Sequence, residues 1–221
     1  EHLGYNIFME FNFTGLAYLL ISLILALTLH EFAHAWMSNL LGDRTAKNEG
    51  RLSINPVVHI DPLMTLFLPL MLIIFQSPVI FGAAKPVPFN PWAVRYGKYG
   101  AALVAVAGPL MNMLIAILFA VCLALFPVNT QVIPLFISMI SINVAFAVFN
   151  MIPIPPLDGS RVLYAVAPAG LRDAMDKLEN NGLIIIFAVL FIASPIIMPA
   201  LAAVNGAIMQ ILVPGLTGVS T

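Results

Sequence analysis

His30-Glu31-Phe32-Ala33-His34 places two imidazoles and a carboxylate within little more than one helical turn. On a helix, His30 and His34 are four positions apart and share one face. Two neutral imidazoles so disposed can hold one divalent metal, and Glu31 beside them is placed as a base for a water at that metal. From Phe11 to Gly42 the chain carries no other Asp, Glu, Lys, Arg or His. An ionisable side chain in a membrane span costs about 2.5–3.5 kcal/mol on insertion scales. Three in one turn require compensation, which a bound metal supplies. In a soluble helix the same residues would as readily read as packed, hydrogen-bonded histidines.

Composition decides which setting applies. The 221 residues are 61% hydrophobic and 9% charged, and the mean hydropathy is +1.01. Soluble domains carry about 25% charged residues, so the expected class is an all-α polytopic membrane protein. Residues 1–221 read as one integral membrane domain, with Met9 a candidate native start and 1–8 a cloning remnant. The first apolar run lacks a basic leader and contains the motif, so it is not a cleavable signal peptide. A net charge of −1 gives no sign of a nucleic-acid partner. Cys122 stands alone, which excludes an internal disulfide and a cysteine zinc site.

Apolar length predicts spans near Phe13–Met37, Gly100–Phe126 and Val132–Ile152. A stretch over Pro62–Phe81 is interrupted by Pro69 and Pro78, and a last one over Leu183–Leu212 by Pro195 and Pro199. The short Pro127–Gln131 connection makes its two flanking spans antiparallel neighbours.

Catalytic zinc usually takes three protein ligands and leaves one position open. Glu49, His59, Asp61 and Asp158 are the candidates for the third. Glu49 lies in a basic polar loop and reads as a solvated charge. Asp158 ends the run Asn150-Met151-Ile152-Pro153-Ile154-Pro155-Pro156-Leu157-Asp158-Gly159. Its prolines stop a helix and its glycine permits a tight turn. Irregular backbone at membrane depth is tolerated only inside protein or beside a water-filled cavity. Asp158 also reads as the N-cap of a helix over Arg161–Ala167, and the two readings are compatible.

His30-Glu31-x-x-His34, Gly108-Pro109-Leu110-Met111-Asn112 and Asn150…Pro156-Leu157-Asp158-Gly159 follow in order on separate apolar segments. Together they resemble the site-2 protease family of intramembrane zinc metalloproteases, over about Thr14–Ala167. Ser53-Ile54-Asn55-Pro56 through His59-Ile60-Asp61-Pro62, and Ala84-Lys85-Pro86-Val87-Pro88, resemble its compact prokaryotic branch. The resemblance implies one zinc held by His30, His34 and Asp158, with Glu31 catalytic and Asn150 helping to hold the substrate backbone. It implies hydrolysis of a peptide bond within a transmembrane segment of another membrane protein, in the lipid bilayer of the cell membrane. No stretch resembles the PDZ or CBS modules of some relatives.

Topology can be approached without that resemblance. The nine basic residues fall three to a polar segment: Arg44, Lys47 and Arg51; Lys85, Arg95 and Lys98; Arg161, Arg172 and Lys177. If Pro62–Phe81 crossed the membrane once, the positive-inside bias would be spoiled, and Asp158 would emerge opposite His34. If it enters and leaves on one side, all nine are cytoplasmic and the three ligands meet near the cytoplasmic leaflet. A re-entrant hairpin is therefore expected, with candidate strands near Thr65–Ile73 and Val79–Val87. Such an edge could hold an extended substrate by β-augmentation.

His59 reads either as an orienting neighbour of the site or as a packed interfacial histidine. Asn112 reads as an interhelical hydrogen bond, with oxyanion stabilisation as the sharper alternative. Asn143 reads as a packing hydrogen bond, and Trp92, Tyr96 and Tyr99 beside Arg95 and Lys98 as an interfacial anchor. The rival function is a zinc transporter or metal-binding membrane protein. Glu31 argues against it, because transport needs no base between the ligands and the far halves of the spans carry no relay of ionisable groups.

Overall fold

Leucine, alanine, isoleucine and phenylalanine dominate from Phe13 onward, with no proline to break the backbone ladder. In the computed structural model, which describes residues 13–75, 84–179 and 194–214, they form one helix, α1 (Phe13–Leu40). Its 28 residues reach about 42 Å at 1.5 Å each, more than a hydrocarbon core of about 30 Å. Two further helices are long and apolar enough to cross a membrane: α4 (Gly97–Leu125) and α5 (Ile133–Asn150). The shorter helices are α2 (Thr45–Asn48), α3 (Leu68–Ile74), α6 (Asp158–Val166), α7 (Ala169–Glu179) and α8 (Ser194–Leu212). The described residues are mostly helical, and none of them forms a strand.

Helices α1, α4 and α5 pack against one another, with α6 against α4 and α8 against α5. Small residues let α4 sit close to its neighbours: Ala101, Ala105, Ala107, Gly108, Ala116 and Ala120 are all buried. Ala116 and Ala120 meet Ile140 and Val144 of α5, and Ile208 and Leu212 of α8 close over them. The opposite face of α4 exposes Leu103, Leu110, Leu114, Leu118 and Leu125. A continuous apolar face of that kind is costly in water and is matched by lipid.

The segment expected to be a hairpin is helical where it is described. A π-helical turn (Pro62–Phe67) runs directly into α3, so the strand expected near Thr65–Ile73 is not formed. This stretch is rich in leucine and poor in β-branched residues, and it favours helix. Pro69 lies inside this continuous helical run, just past its π-helical turn. Most of the second expected strand lies outside the described residues, and 84–87 have no regular structure.

The ends of this segment nevertheless meet. The Lys85 amide donates to the His59 carbonyl at 2.9 Å. The Arg51 guanidinium donates to the carbonyls of Lys85 and Pro86. The Arg95 amide donates to the carbonyl of Leu41, just past α1, at 2.9 Å. All three basic-residue clusters thus lie at one end of the bundle: the end of α1, the start of α4 and, after the antiparallel return of α5, helices α6 and α7.

Candidate metal centre

Helix α1 carries His30 and His34 one turn apart, with ring centroids 4.5 Å apart and planes nearly perpendicular. The third group arrives from α6. Prolines after Asn150 end α5, and the chain turns so that Asp158 opens α6 as its first residue, with Leu157 rather than Asp158 at the N-cap position. Gly159 makes this approach fit, since a Cβ there would lie 2.2 Å from the Met151 carbonyl oxygen. Asp158 Oδ2 then stands 3.2 Å from His30 Nε2 and 3.4 Å from His34 Nε2. The two Nε2 atoms are 2.9 Å apart.

The outer nitrogens determine what the inner ones can be. His30 Nδ1 lies 2.6 Å from Asn112 Oδ1. Asn112 is fully buried, and its Nδ2 donates to the Ala26 carbonyl at 3.1 Å and to Asn143 Oδ1 at 2.8 Å. Its oxygen is therefore the atom facing His30, and it can only accept. His34 Nδ1 faces the Val104 carbonyl at 2.8 Å, another pure acceptor. Both rings thus carry their proton on Nδ1, and both Nε2 atoms present lone pairs. Asp158 Oδ2 is buried and accepts no hydrogen bond from the described residues. Three lone pairs aimed at one another repel unless a cation lies among them. Tetrahedral zinc with arms of about 2.0–2.1 Å separates its ligands by about 3.3 Å, close to these spacings.

Gly108 of α4 forms the wall behind the rings. A Cβ there would lie 2.5 Å from His34 Nε2 and 2.6 Å from His30 Cε1, so any side chain would enter the space between the ligands. Glu31 accepts the backbone N–H of Val87 at Oε2, 3.0 Å away.

The remaining expected residues fall as follows. Asn112 touches His30 from behind and joins α1 to α4. Asn143 passes the network on to the Met139 carbonyl at 2.8 Å. Asn150 bonds back into α5, donating to the Phe146 carbonyl at 3.0 Å. His59 is buried and bonds through Nε2 to the Ser53 carbonyl at 2.7 Å, not to His30, His34 or Asp158. Asp61 caps the π-helical turn through Leu63 and Met64, and Glu49 is exposed past α2. Sequence reasoning named Gly108 only within a motif, without a role, and missed the role of Arg51 and the backbone groups of Val104 and Val87. A glycine followed by proline inside a span is a signal of close backbone approach; a carbonyl or an amide has no residue-type signature.

The donor set is the familiar one for zinc, and relatives agree. The chain is 33% identical over 216 residues to Putative zinc metalloprotease YwhC of Bacillus subtilis, covering 92% of this chain and 94% of that protein. It is 28% identical to Putative zinc metalloprotease Rip2 of Mycolicibacterium smegmatis, over 76% of this chain and 64% of that protein. The Mycobacterium tuberculosis protein of the same name is 27% identical over 77% of this chain and 64% of its own length. No solved structure matches at the same stringency. The family model described as Peptidase family M50 matches residues 127–193, the stretch that contains Asn150 and Asp158. With a relative this similar along nearly its whole length, the chain belongs to Peptidase family M50, the site-2 proteases.

Proposed function

We propose that this protein is an intramembrane zinc metalloprotease in which His30, His34 and Asp158 hold the metal and Glu31 is the base. The observation that carries the reading is the convergence of two imidazole lone pairs from α1 with a carboxylate oxygen from α6 that has no hydrogen-bond partner among the described residues, Glu31 being next to His30 on α1. A zinc ion held by His30, His34 and Asp158 would polarise a scissile carbonyl and lower the pKa of a water bound to it toward ~7. Glu31 takes the proton from the attacking water and passes it to the leaving amine. The Val87 amide holds the Glu31 carboxylate through Oε2. Asn112 and the Val104 carbonyl keep both rings in the tautomer that offers Nε2.

The substrate is a transmembrane segment of another protein, locally unwound, because an intact helix hides its carbonyls in its own hydrogen bonds. Asn150, at the end of α5 beside the turn to Asp158, is placed to hold its backbone. The site lies near the cytoplasmic leaflet of the cell membrane. The meeting of His59 with Lys85 and of Arg95 with Leu41 supports this, because it puts every basic cluster at the site's end of the bundle. The same contacts bring the two ends of 60–84 together and so support a re-entrant path for it. The transport reading is not favoured.

The test is cleavage of candidate single-span proteins by wild type and Glu31→Gln in bilayers, with a chelator control. Cleavage by wild type alone, abolished by chelation, is the expected result. Equal cleavage by both overturns the role of Glu31.

A further inference from the structure

Arg51 is 7% exposed, a guanidinium taken almost wholly out of water. Among the described residues no carboxylate lies within ion-pair reach of it. A buried charge without a partner is costly unless hydrogen bonds replace its hydration. Here the replacement is two backbone carbonyls, those of Lys85 and Pro86. Its Nε has no hydrogen-bond partner among the described residues. An arginine serving only packing could be replaced by an apolar residue at little cost; this one is committed to the chain at 85–86.

That chain has few ways to bond. Pro86 and Pro88 have no N–H, so between 85 and 88 only Lys85 and Val87 can donate. The Lys85 amide goes to the His59 carbonyl and the Val87 amide goes to Glu31. Lys85 and Val87 each precede a proline, which restricts them to extended backbone. Two residues on, the Asn90 amide donates to Asp43 Oδ2 at 2.8 Å. Asp43 is itself buried and fixed by Ser38 and Thr45. Residues 84–90 are therefore a stiff strap, held at one end by Arg51 and His59 and at the other by Asp43. Its middle amide meets the carboxylate beside the metal ligands.

We propose that Arg51 is a positioning residue for Glu31, acting through the Lys85 and Pro86 carbonyls and the Val87 amide. This rests on the reading of Glu31 as the base. Arg51 touches neither substrate nor metal; it holds the strap that aims the carboxylate.

The test uses the full chain in bilayers with a single-span substrate that wild type cleaves. Arg51→Ala should keep one zinc per chain and a KM within about twofold, while kcat falls by about tenfold to a hundredfold, the scale of a misplacement near 1 Å. Arg51→Lys, which can still donate to one carbonyl, should recover much of that loss. A kcat within twofold of wild type in Arg51→Ala overturns the proposal, as does a loss confined to KM. A second readout needs no catalysis. A cysteine at position 87, in a Cys122→Ser background, should be alkylated several-fold faster once Arg51→Ala frees the strap; an unchanged rate overturns the anchoring. If Glu31→Gln cleaves normally, the base reading fails, and the alkylation rates still decide whether Arg51 holds the strap.

Discussion

His30 Nδ1 and Asn112 Oδ1 lie 2.6 Å apart although 82 positions separate them in the chain. The contact joins α1 to α4, and Asn112 continues it to Asn143 of α5. Interhelical hydrogen bonds in membranes contribute only about 0.6–2 kcal/mol each. Their larger effect here is on the ring they orient. Asn112→Ala should weaken zinc binding by about 10- to 100-fold, read by competition with a chromophoric chelator. An unchanged affinity would refute the orienting role.

Gly108→Ala tests the wall behind the rings. Its Cβ would lie 2.5 Å from His34 Nε2, inside contact distance. The variant should insert normally and bind zinc about tenfold more weakly or worse. Stoichiometric zinc at wild-type affinity would mean that α4 can withdraw from α1 without cost.

Asp43 gives the pH prediction. Burial alone would raise its pKa, but hydrogen bonds from Thr45, Asn90 and Ser38 outweigh that and hold its carboxyl below the usual carboxylate range. A group whose folded pKa is depressed stabilises the fold above its unfolded pKa, about 3.9, and that contribution disappears as pH falls through the folded value. Asp43→Asn should therefore cost about 1–3 kcal/mol at pH 7, with the gap to wild type closing below pH ~4. Thermal midpoints in detergent across that range check it; a gap independent of pH would contradict the account.

The topology is open to labelling. Cysteines at the exposed positions of Lys47, Arg95 and Lys177, each in a Cys122→Ser background, should react with an impermeant reagent from the same side of the membrane. Reaction of 47 and 95 from opposite sides would mean that 60–84 crosses once, and would break the route by which Asp158 reaches the histidines.

Much of this site could be read from residue types. An i, i+4 histidine pair in an otherwise uncharged span states its geometry directly, and α1, α4 and α5 follow from apolar length. Asp158 was legible because prolines and a glycine bracket it. The strand expected at Thr65–Ile73 failed because a short apolar run has no periodicity that separates strand from helix. Pro69 was given the weight of a breaker, whereas the helical run from Pro62 to Ile74 passes through it. His59 seemed available to the metal because it is a histidine near the motif; in the fold its Nε2 bonds to the Ser53 carbonyl and its own carbonyl accepts from Lys85, away from His30, His34 and Asp158. Val87 was invisible as a functional residue, because what it contributes is an amide that any residue but proline carries.

The central claim is that Glu31 moves protons while His30, His34 and Asp158 hold zinc. The most direct measurement is turnover of a wild-type-cleaved single-span protein by Glu31→Gln, with the zinc content of the same sample determined by mass spectrometry. One zinc per chain and no cleavage is the result this account predicts. Cleavage at the wild-type rate with zinc in place would contradict it.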